Sequence, residues 1–440
     1  MRLLLLLAGC TGKPDLELLQ DPQACSACHP DHHTEWSGSM HAYASEDPLF
    51  RALNAIGQRE TNGALGDFCV QCHAPLAVRL GLTDDGLNLD DIPENLQGVG
   101  CYFCHVVDGV DGQSNNPLSL SDDGVMRGPF DDPVANRFHA SKYSPLLDRT
   151  DPRSSSLCGS CHDIVTPRNV HIERTFFEWQ NTLFADEAYI DQNLNCSGCH
   201  MNGVTEPVAV QGNKEFPERR RHEHTWPAVD VALTDFPERD TQRALVQAEL
   251  DSVLNPQLCV SIDPVGGDAT LTVDLENLAA GHSFPSGAAA DRRVWVEVIA
   301  YQDGQEVYAS GKVPDGVSVA EAGGPDVWEI RDWHADERGQ ETHFFWEVEQ
   351  VRSELLPGPT ARLPDDPNWT ETHRIRTYTV EEAAPDRVTM KVRLRPFGLD
   401  IFDSIADEGL DPALRSAIPT FELAGASLEW TADLGRACVR

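Results

Sequence analysis

The chain has 440 residues and a hydrophobic content of 40%, which allows a packed core and two or three domains. Its 34 lysines and arginines stand against 71 aspartates and glutamates, giving a net charge of −37. Such a surface repels nucleic acid and attracts basic proteins, although charge of this kind also serves solubility alone. No run of about 18 apolar residues is present, which argues against a membrane-spanning body.

The first ten residues have the pattern of an export signal, with Arg2 followed by five leucines and a small-residue site before Cys10. The run Leu-Ala-Gly-Cys that ends at Cys10 resembles the lipobox of bacterial lipoproteins, which implies that this cysteine is lipidated. Residues 1–9 are therefore predicted to be a lipoprotein-type signal peptide, and 10–22 a lipidated linker. Because Thr11 follows the cysteine, the resemblance implies passage to the outer membrane. The apolar run is shorter than usual, so the alternatives are a start further upstream and an incidental cysteine.

A Cys-x-x-Cys-His motif occurs five times before residue 201. This spacing is the attachment signature of c-type haem: the two thiols form thioethers with one porphyrin, and the histidine binds the iron axially. Roughly 0.01 matches are expected by chance in such a chain, so five together predict five covalent haems c. The predicted thioether cysteines are Cys25, Cys28, Cys69, Cys72, Cys101, Cys104, Cys158, Cys161, Cys196 and Cys199. The predicted proximal iron ligands are His29, His73, His105, His162 and His200.

Zinc ribbons and redox-active Cys-x-x-Cys pairs are the alternative interpretations of these cysteines. Paired zinc-binding units usually lie about 15 to 20 residues apart. Successive motifs here begin 32 to 57 residues apart. Neither zinc nor thiol redox chemistry requires a histidine after every pair, so haem explains the pattern better.

Five irons would leave five further axial positions, and low-potential electron carriers commonly fill them with a second histidine. His41 is well separated from the nearest motif, and His171 precedes an aromatic run that could pack on a porphyrin. His32 and His33 lie too close to His29 to reach the opposite face of the same haem. The candidate distal ligands are His41, His139, His171, His224 and His282. The histidines predicted to lie on the surface are His334, His343 and His373.

A shift in composition divides the chain, because eleven of the thirteen cysteines precede residue 200. Residues 23–237 are predicted to form a pentahaem domain, mostly α-helical or irregular, that wraps around its cofactors. A linker over 238–258 follows. Within it, Asp240 is a plausible N-cap, and apolar residues at helical spacing predict a helix that reaches Leu254.

The sequence pattern after this linker is typical of short β-strands. Apolar residues alternate with polar ones over 388–394, and 293–301 is a continuous apolar run typical of a more buried strand. Residues 259–440 are therefore predicted to form an all-β, sandwich-like domain. Cys259 and Cys438 open its first and close its last predicted strand, which makes them a candidate disulfide.

The N-terminal half resembles the cytochrome c554-like multihaem family over about residues 23–226. The likeness is carried by Cys-Ser-Ala-Cys-His-Pro at 25–30, Glu-Trp-Ser-Gly-Ser-Met-His-Ala at 35–42 and Leu-Cys-Gly-Ser-Cys-His-Asp at 157–163. The resemblance implies closely packed haems, mostly with two histidine ligands, and a role in electron transfer. The histidine of the family's Ser-x-His-Ala pattern is an axial ligand, which supports His41.

Residues 281–287, Gly-His-Ser-Phe-Pro-Ser-Gly, look like a segment appended to many multihaem cytochromes. The resemblance implies that it could carry His282 across the domain boundary to a haem iron. A turn that holds this histidine by a hydrogen bond is an equally favoured interpretation.

These patterns predict an exported, lipid-anchored cytochrome at the outer membrane, facing the periplasm or the cell surface. Its expected work is electron transfer between redox proteins, basic cytochromes among them, and nucleic acid is not an expected partner. The alternative is a multihaem oxidoreductase that acts on a small nitrogen or sulfur oxyanion at one open haem iron, since relatives of the family oxidise hydroxylamine or reduce nitrite. No catalytic residue is identified, so the electron carrier is preferred.

Overall fold

The computed structural model describes residues 15–186, 194–212, 214–277, 279–363, 365–367 and 369–440. The predicted signal peptide and Cys10 lie outside the described residues. Over the described ranges, no helix has both the length and the apolar character needed to cross a membrane.

The N-terminal half consists of short helices, several of which begin at a capping residue. The carboxylates of Asp15, Asp21 and Asp47 accept hydrogen bonds from the first backbone N–H groups of their helices. Proline occupies the first turn of several helices, where its missing N–H is not needed. The helices of this half are α1 (Leu16–Leu19), α2 (Pro22–Ser26), α3 (Pro30–Ser37), α4 (Met40–Tyr43), α5 (Pro48–Glu60), α6 (Val70–His73), α7 (Pro75–Arg79), α8 (Cys101–His105), α9 (Ser154–Gly159), α10 (Thr175–Gln180) and α11 (Cys196–His200).

Small two-stranded ladders connect these helices. Their strands are β1 (Val107–Val110), β2 (Leu118–Leu120), β3 (Val125–Gly128), β4 (Ala140–Tyr143), β5 (Ile164–Val165), β6 (His171–Glu173), β7 (Gly203–Pro207) and β8 (Glu218–His222). Consecutive strands pair with each other, and all these ladders are antiparallel except the parallel pair β3–β4. The helical and irregular character predicted for this half is observed.

The predicted linker helix is present but shorter than expected. It is α12 (Arg239–Leu250), which buries Val246 and Leu250. Leu254 belongs instead to strand β9 (Leu254–Ile262), so the prediction that the helix reaches Leu254 was wrong. Pro256 lies inside this strand, which is at the edge of its sheet, where a residue without an N–H is tolerated.

The region from β9 onward is rich in strands. Its further strands are β10 (Ala269–Asn277), β11 (Arg293–Gln302), β12 (Gln305–Ser310), β13 (Trp328–Glu329), β14 (Asp332–Ala335), β15 (Gln350–Ser353), β16 (His373–Val380), β17 (Arg387–Arg395) and β18 (Phe421–Thr431). Its helices are α13 (Val319–Ala322), α14 (Leu399–Ile405) and α15 (Ala413–Ala417). One antiparallel sheet has the order β16–β10–β9, a larger one has the order β12–β11–β17–β18 with β13 also on β11, and β14 pairs with β15.

A common hydrophobic core receives side chains from both of the larger sheets. Leu271 and Leu275 of β10 contribute to it from one sheet, and Val294 of β11 and Leu394 of β17 contribute from the other. All four side chains are fully buried, and burying each stabilises the fold by about 1.5–3 kcal/mol relative to leaving it exposed. β11 is buried along most of its length, as predicted from its continuous apolar run.

Cys259 and Cys438 form a disulfide. Cys259 lies in the middle of β9 rather than at its start, and Cys438 follows the last strand within a short terminal segment. Backbone hydrogen bonds of 2.8 and 3.0 Å between Leu258 and Val439 place the two cysteines side by side.

The two halves share contacts that fix their relative position. Leu49 and Ile56 of α5 lie in one hydrophobic cluster with Phe402 and Ile405 of α14. An ion pair of 2.7 Å joins the Arg174 guanidinium to Asp332. Further hydrogen bonds run from Ser283 N and Ser286 Oγ to the Glu178 carboxylate, so the loop between β10 and β11 is held against the N-terminal half.

Candidate functional site

A cavity of about 1110 Å³, partly open to solvent, lies within the N-terminal half and at its border with the strand-rich region. All ten motif cysteines and all five motif histidines line its wall. Much of the remaining lining is apolar, with Phe50, Phe103, Phe176 and Trp36 among the side chains. The cavity therefore joins all five motifs in one space.

A helical turn arranges each motif. In the first one, the N–H groups of Cys28 and His29 donate to the carbonyl oxygen of Cys25 at 3.1 and 2.8 Å. The histidine therefore stands one turn after the first cysteine, on the same side of the helix. The backbone bonds of the motifs beginning at Cys69 and Cys158 are the same.

Four motif histidines are oriented by backbone carbonyl groups. The bonds from Nδ1 are those of His29 to Val208 (2.8 Å), His73 to Ala44 (2.9 Å), His105 to Arg127 (2.6 Å) and His200 to Pro227 (2.8 Å). Because a carbonyl oxygen only accepts, the proton lies on Nδ1, and Nε2 keeps its lone pair. Metal-binding histidines are typically held in this way, so these residues fit an axial ligand of haem iron.

A second histidine faces four of the five motif histidines. Because imidazole nitrogens bind metal ions at about 2 Å and each ring centre lies roughly 1 Å behind its nitrogen, two histidines across one ion have ring centres about 6 Å apart. Among the described residues, four pairs fit this separation: His29–His139 at 6.4 Å, His41–His162 at 6.1 Å, His105–His224 at 6.4 Å and His200–His282 at 6.4 Å. Four of the five candidate distal histidines thus lie where a second ligand would be needed.

The buried facing histidines are neutral at physiological pH. Burial lowers the pKa of His41 to about 3 and that of His282 to about 4. The proximity of His162 and of His200, respectively, lowers these pKa values further. The uncharged imidazole is the form that binds metal, so these positions suit iron ligation.

His171 does not join this arrangement. Its Nε2 lies 2.5 Å from a carboxylate oxygen of Asp163, and its ring contacts Phe177 edge-on at 5.4 Å. It is also not part of the cavity wall. The structure therefore does not place it opposite any motif histidine, and the aromatic run beside it does not bring it to the cavity.

His73 is left without a facing imidazole at the separation of the other pairs, as far as the described residues extend. Its ring instead stacks on Phe50, with the ring centres 3.9 Å apart. The same cavity wall carries Glu173, Asp291 and Arg292. Burial raises the pKa of each of the two carboxyl groups to about 7, and Arg292 opposes both shifts.

Two of the three histidines predicted to lie on the surface do not lie there: one is buried and the other lines the cavity. His334 is only 4% exposed, because it lies on the buried face of β14, where it alternates with the partly exposed Trp333 and Ala335. His343 lines the cavity. The sequence around them contains no periodic apolar pattern that would have indicated their burial.

Sequence reasoning also missed a buried arginine. Arg149 is 7% exposed, and its Nε and Nη1 have no hydrogen-bond partner among the described residues. Arginine is almost never fully buried unless it is paired, and a prediction from composition alone has no means of detecting such a position.

Contacts between cysteine side chains show which motifs are neighbours in the folded chain. The thiol of Cys25 neighbours that of Cys101, and the thiol of Cys161 neighbours that of Cys72. The Cys158 thiol neighbours that of Cys196 and is within electrostatic reach of Cys104. The fourth motif therefore adjoins the second, third and fifth, whereas the first adjoins the third.

Residues 24–106, which span the first three motifs, match the family model of cytochrome c554 and c-prime. The chain is also similar to the crystal structure of a penta-heme cytochrome c552 from Thermochromatium tepidum, at 18% sequence identity and a TM-score of 0.63. This alignment covers 93% of the present chain and 98% of the other and shows a shared fold. No curated protein matches the sequence. The comparisons support a multihaem c-type cytochrome.

Proposed function

We propose that this protein carries five covalent haems c and transfers electrons between redox partners. The observation that carries the proposal is the set of four histidine pairs, with ring centres 6.1–6.4 Å apart, inside a cavity lined by all five motifs. When bound, haem iron supplies one-electron redox chemistry, and a second histidine on the iron closes it to other ligands.

The protein's own residues attach, orient and enclose the cofactors. The ten motif cysteines would form the thioethers, and the five motif histidines would bind the irons on one side. As the second ligands we assign His139 opposite His29, His41 opposite His162, His224 opposite His105 and His282 opposite His200. The carbonyl groups that accept from Nδ1 fix the imidazole rings, and the apolar wall excludes water.

We expect the fourth motif to be the branch point of the electron path, because it adjoins three other motifs. The first motif lies at one end, beyond the third. The second and fifth motifs each lie beside the fourth and form the other two ends.

A second candidate function is catalysis on a small nitrogen or sulfur oxyanion at one open iron. It is favoured by His73, which has no facing imidazole at the required separation in the described part of the chain. The cavity wall also supplies cationic and carboxyl groups, Arg292, Glu173 and Asp291, of the kind that such chemistry uses.

Electron paramagnetic resonance of the oxidised protein, with haem quantified as the pyridine haemochrome, tests the assignment. We expect five haems per chain, four of them low-spin and the one at His73 high-spin. Replacing the facing histidine in His282→Ala should convert one further haem to high-spin. His373→Ala, which alters a histidine outside the cavity wall, is the matched control and should leave the spectrum unchanged.

Fewer than five haems would refute the attachment sites. A spectrum of His282→Ala identical to that of the unmodified protein would refute the ligand pairs. Turnover of nitrite or sulfite by the unmodified protein, lost on blocking the high-spin haem with cyanide, would move the assignment from electron carrier to enzyme.

Export, a lipid anchor at Cys10 and an outer-membrane location facing the periplasm or cell surface belong to the same proposal, as do basic cytochromes as partners. They are supported by the leader-like N-terminus and by the net charge of −37. We further propose that the two larger sheets pack face to face as a sandwich, which is supported by their common core.

A further inference from the structure

The four facing histidine pairs differ in the angle between their two rings. Three of the pairs are closer to parallel, with interplanar angles of 33°, 17° and 12°. The remaining pair, His41 and His162, is close to perpendicular, at 79°. Its ring centres are 6.1 Å apart, which is similar to the 6.4 Å of the other three pairs. Orientation rather than separation therefore distinguishes the pair that belongs to the fourth motif.

Hydrogen bonds do not fix the two rings of this pair. In each of the other three pairs, both histidines have Nδ1 within 2.6–3.2 Å of a backbone carbonyl oxygen. Over the part of the chain that the structure describes, neither His41 nor His162 forms a side-chain hydrogen bond. The planes of these two rings are therefore set by packing.

The ring that packs against His41 is the indole of Trp226. The two ring centres are 4.6 Å apart, and the planes meet at 90°. Aromatic rings prefer this edge-to-face contact, because the positive edge of one ring meets the negative face of the other. The same indole contacts His224 at 5.0 Å and 73°. Trp226 thus stands between the second ligands assigned to the fourth and the third motifs.

The backbone around Trp226 holds the indole in this place. Trp226 has a φ of 41°, in the left-handed region that bulky residues rarely adopt, and the following Pro227 favours an extended conformation instead. The segment is fastened on both sides. The His224 N–H donates to the Glu35 carboxylate at 2.8 Å, and the Pro227 carbonyl oxygen lies 2.8 Å from Nδ1 of His200. Such backbone strain persists only where the surroundings impose it, and it is concentrated at functional positions.

The angle between two imidazole planes changes the electronic structure of an iron that binds both rings. Each imidazole donates π density into the iron d orbital that lies perpendicular to its own plane. Parallel rings raise one orbital, which separates it from its partner and stabilises the oxidised form, because that form has only one electron in the raised orbital. Perpendicular rings raise both orbitals equally. A low-spin oxidised iron then gives a strongly anisotropic paramagnetic resonance signal instead of a rhombic one, and its reduction potential is higher.

We propose that Trp226 is a positioning residue that holds His41 perpendicular to His162, and that it thereby raises the reduction potential of the haem at the fourth motif. The inference rests on the proposed function, which assigns these two histidines to that haem. The fourth motif adjoins three others, so the effect falls on the expected branch point of the electron path. A higher potential at this point favours the arrival of electrons from any of the three neighbours.

Electron paramagnetic resonance of the oxidised, haem-loaded protein provides the first test. We expect one strongly anisotropic low-spin signal that accounts for one haem, beside three rhombic low-spin signals. His41→Ala should remove the anisotropic signal and convert one further haem to high-spin, which assigns the signal to the fourth motif.

Trp226→Leu, which keeps an apolar side chain but removes the ring, tests the positioning role. We expect a fourth rhombic signal in place of the anisotropic one, and potentiometric titration should show one of the five potentials lowered. The signal of the third motif should change less, because His224 keeps the hydrogen bond between Nδ1 and the His222 carbonyl oxygen. Trp226→Phe retains an aromatic edge and should keep the anisotropic signal. Trp333→Leu, at a partly exposed tryptophan outside the cavity wall, is the matched control and should leave every signal unchanged.

Two results would overturn the inference while leaving the proposed function intact. One is an unmodified protein with five attached haems and only rhombic low-spin signals, a result that depends on no variant. The other is an anisotropic signal that His41→Ala removes but Trp226→Leu leaves in place, because the plane of His41 would then be set by other contacts. A His41→Ala variant with no additional high-spin haem would instead refute the ligand pair of the proposed function, and the inference would fail with it.

Discussion

Removing the Cys259–Cys438 disulfide should destabilise the strand-rich region by about 5 kcal/mol. The bridge closes a loop with a sequence separation of 179 residues. The loop-closure entropy that such a bridge removes from the unfolded chain corresponds to about 5 kcal/mol at 25 °C. Cys438 is exposed and Cys259 is only partly buried, so replacing both by serine leaves no large cavity that would add to this value.

Urea unfolding of the haem-loaded protein, followed by hydrogen exchange of the amides in β9 and β10, measures the effect. We expect the double serine variant to unfold at a lower urea concentration, with the slope m equal or larger because its unfolded chain is less compact. The unmodified protein treated with a thiol reductant that opens the bridge should match the variant. A loss below about 1 kcal/mol would contradict the reasoning, since it would mean that the terminal segment opens before the sheets do.

Two other predictions concern the strand-rich region and the cavity. Leu271→Ala should lower the free energy of unfolding by about 2–5 kcal/mol, because it truncates a fully buried side chain. Val265→Ala, at a position that is 93% exposed, is the control and should lower it by less than about 0.5 kcal/mol. Equal losses of the two variants in urea unfolding would contradict this reasoning. Burial raises the pKa of Asp291 from 3.8 to about 7, so the folded protein binds the extra proton, and this residue's contribution to stability is lost as pH rises from about 4 to 7. Asp291→Asn should therefore flatten the dependence of Tm on pH in that window, and a profile parallel to that of the unmodified protein would exclude Asp291 as the titrating group.

The strands and the motifs could be predicted because their signals are local. β10 and β17 follow from alternating apolar residues, since one face of each strand meets the core. The predicted helix end at Leu254 failed because an apolar residue at helical spacing suits an edge strand equally well once β10 offers it hydrogen bonds.

The facing histidines could be predicted only in part, because their role depends on distant segments. His41 carries a local family pattern, and His224 and His139 stand apart from the motifs. His171 looked equivalent in sequence, but a carboxylate eight residues earlier holds its Nε2. Nothing in the sequence indicated that Arg149 is buried. Its Nε and Nη1 are seen to have no hydrogen-bond partner among the described residues only once the chain is folded.

The loop between β10 and β11 makes the completion of the N-terminal half depend on the C-terminal half, because the loop carries His282, which faces His200. His282 follows His200, which it faces, by 82 residues, and that loop is held in place by strands that include β17, synthesised later still. An exported chain, like a nascent one, emerges from its N-terminus first, so under the proposed function the fifth motif becomes available before the strand-rich region does. Under the proposed function, the C-terminal half would therefore close last, over an N-terminal half that already carries its haems, and a truncated chain that ends before residue 282 would lack this step.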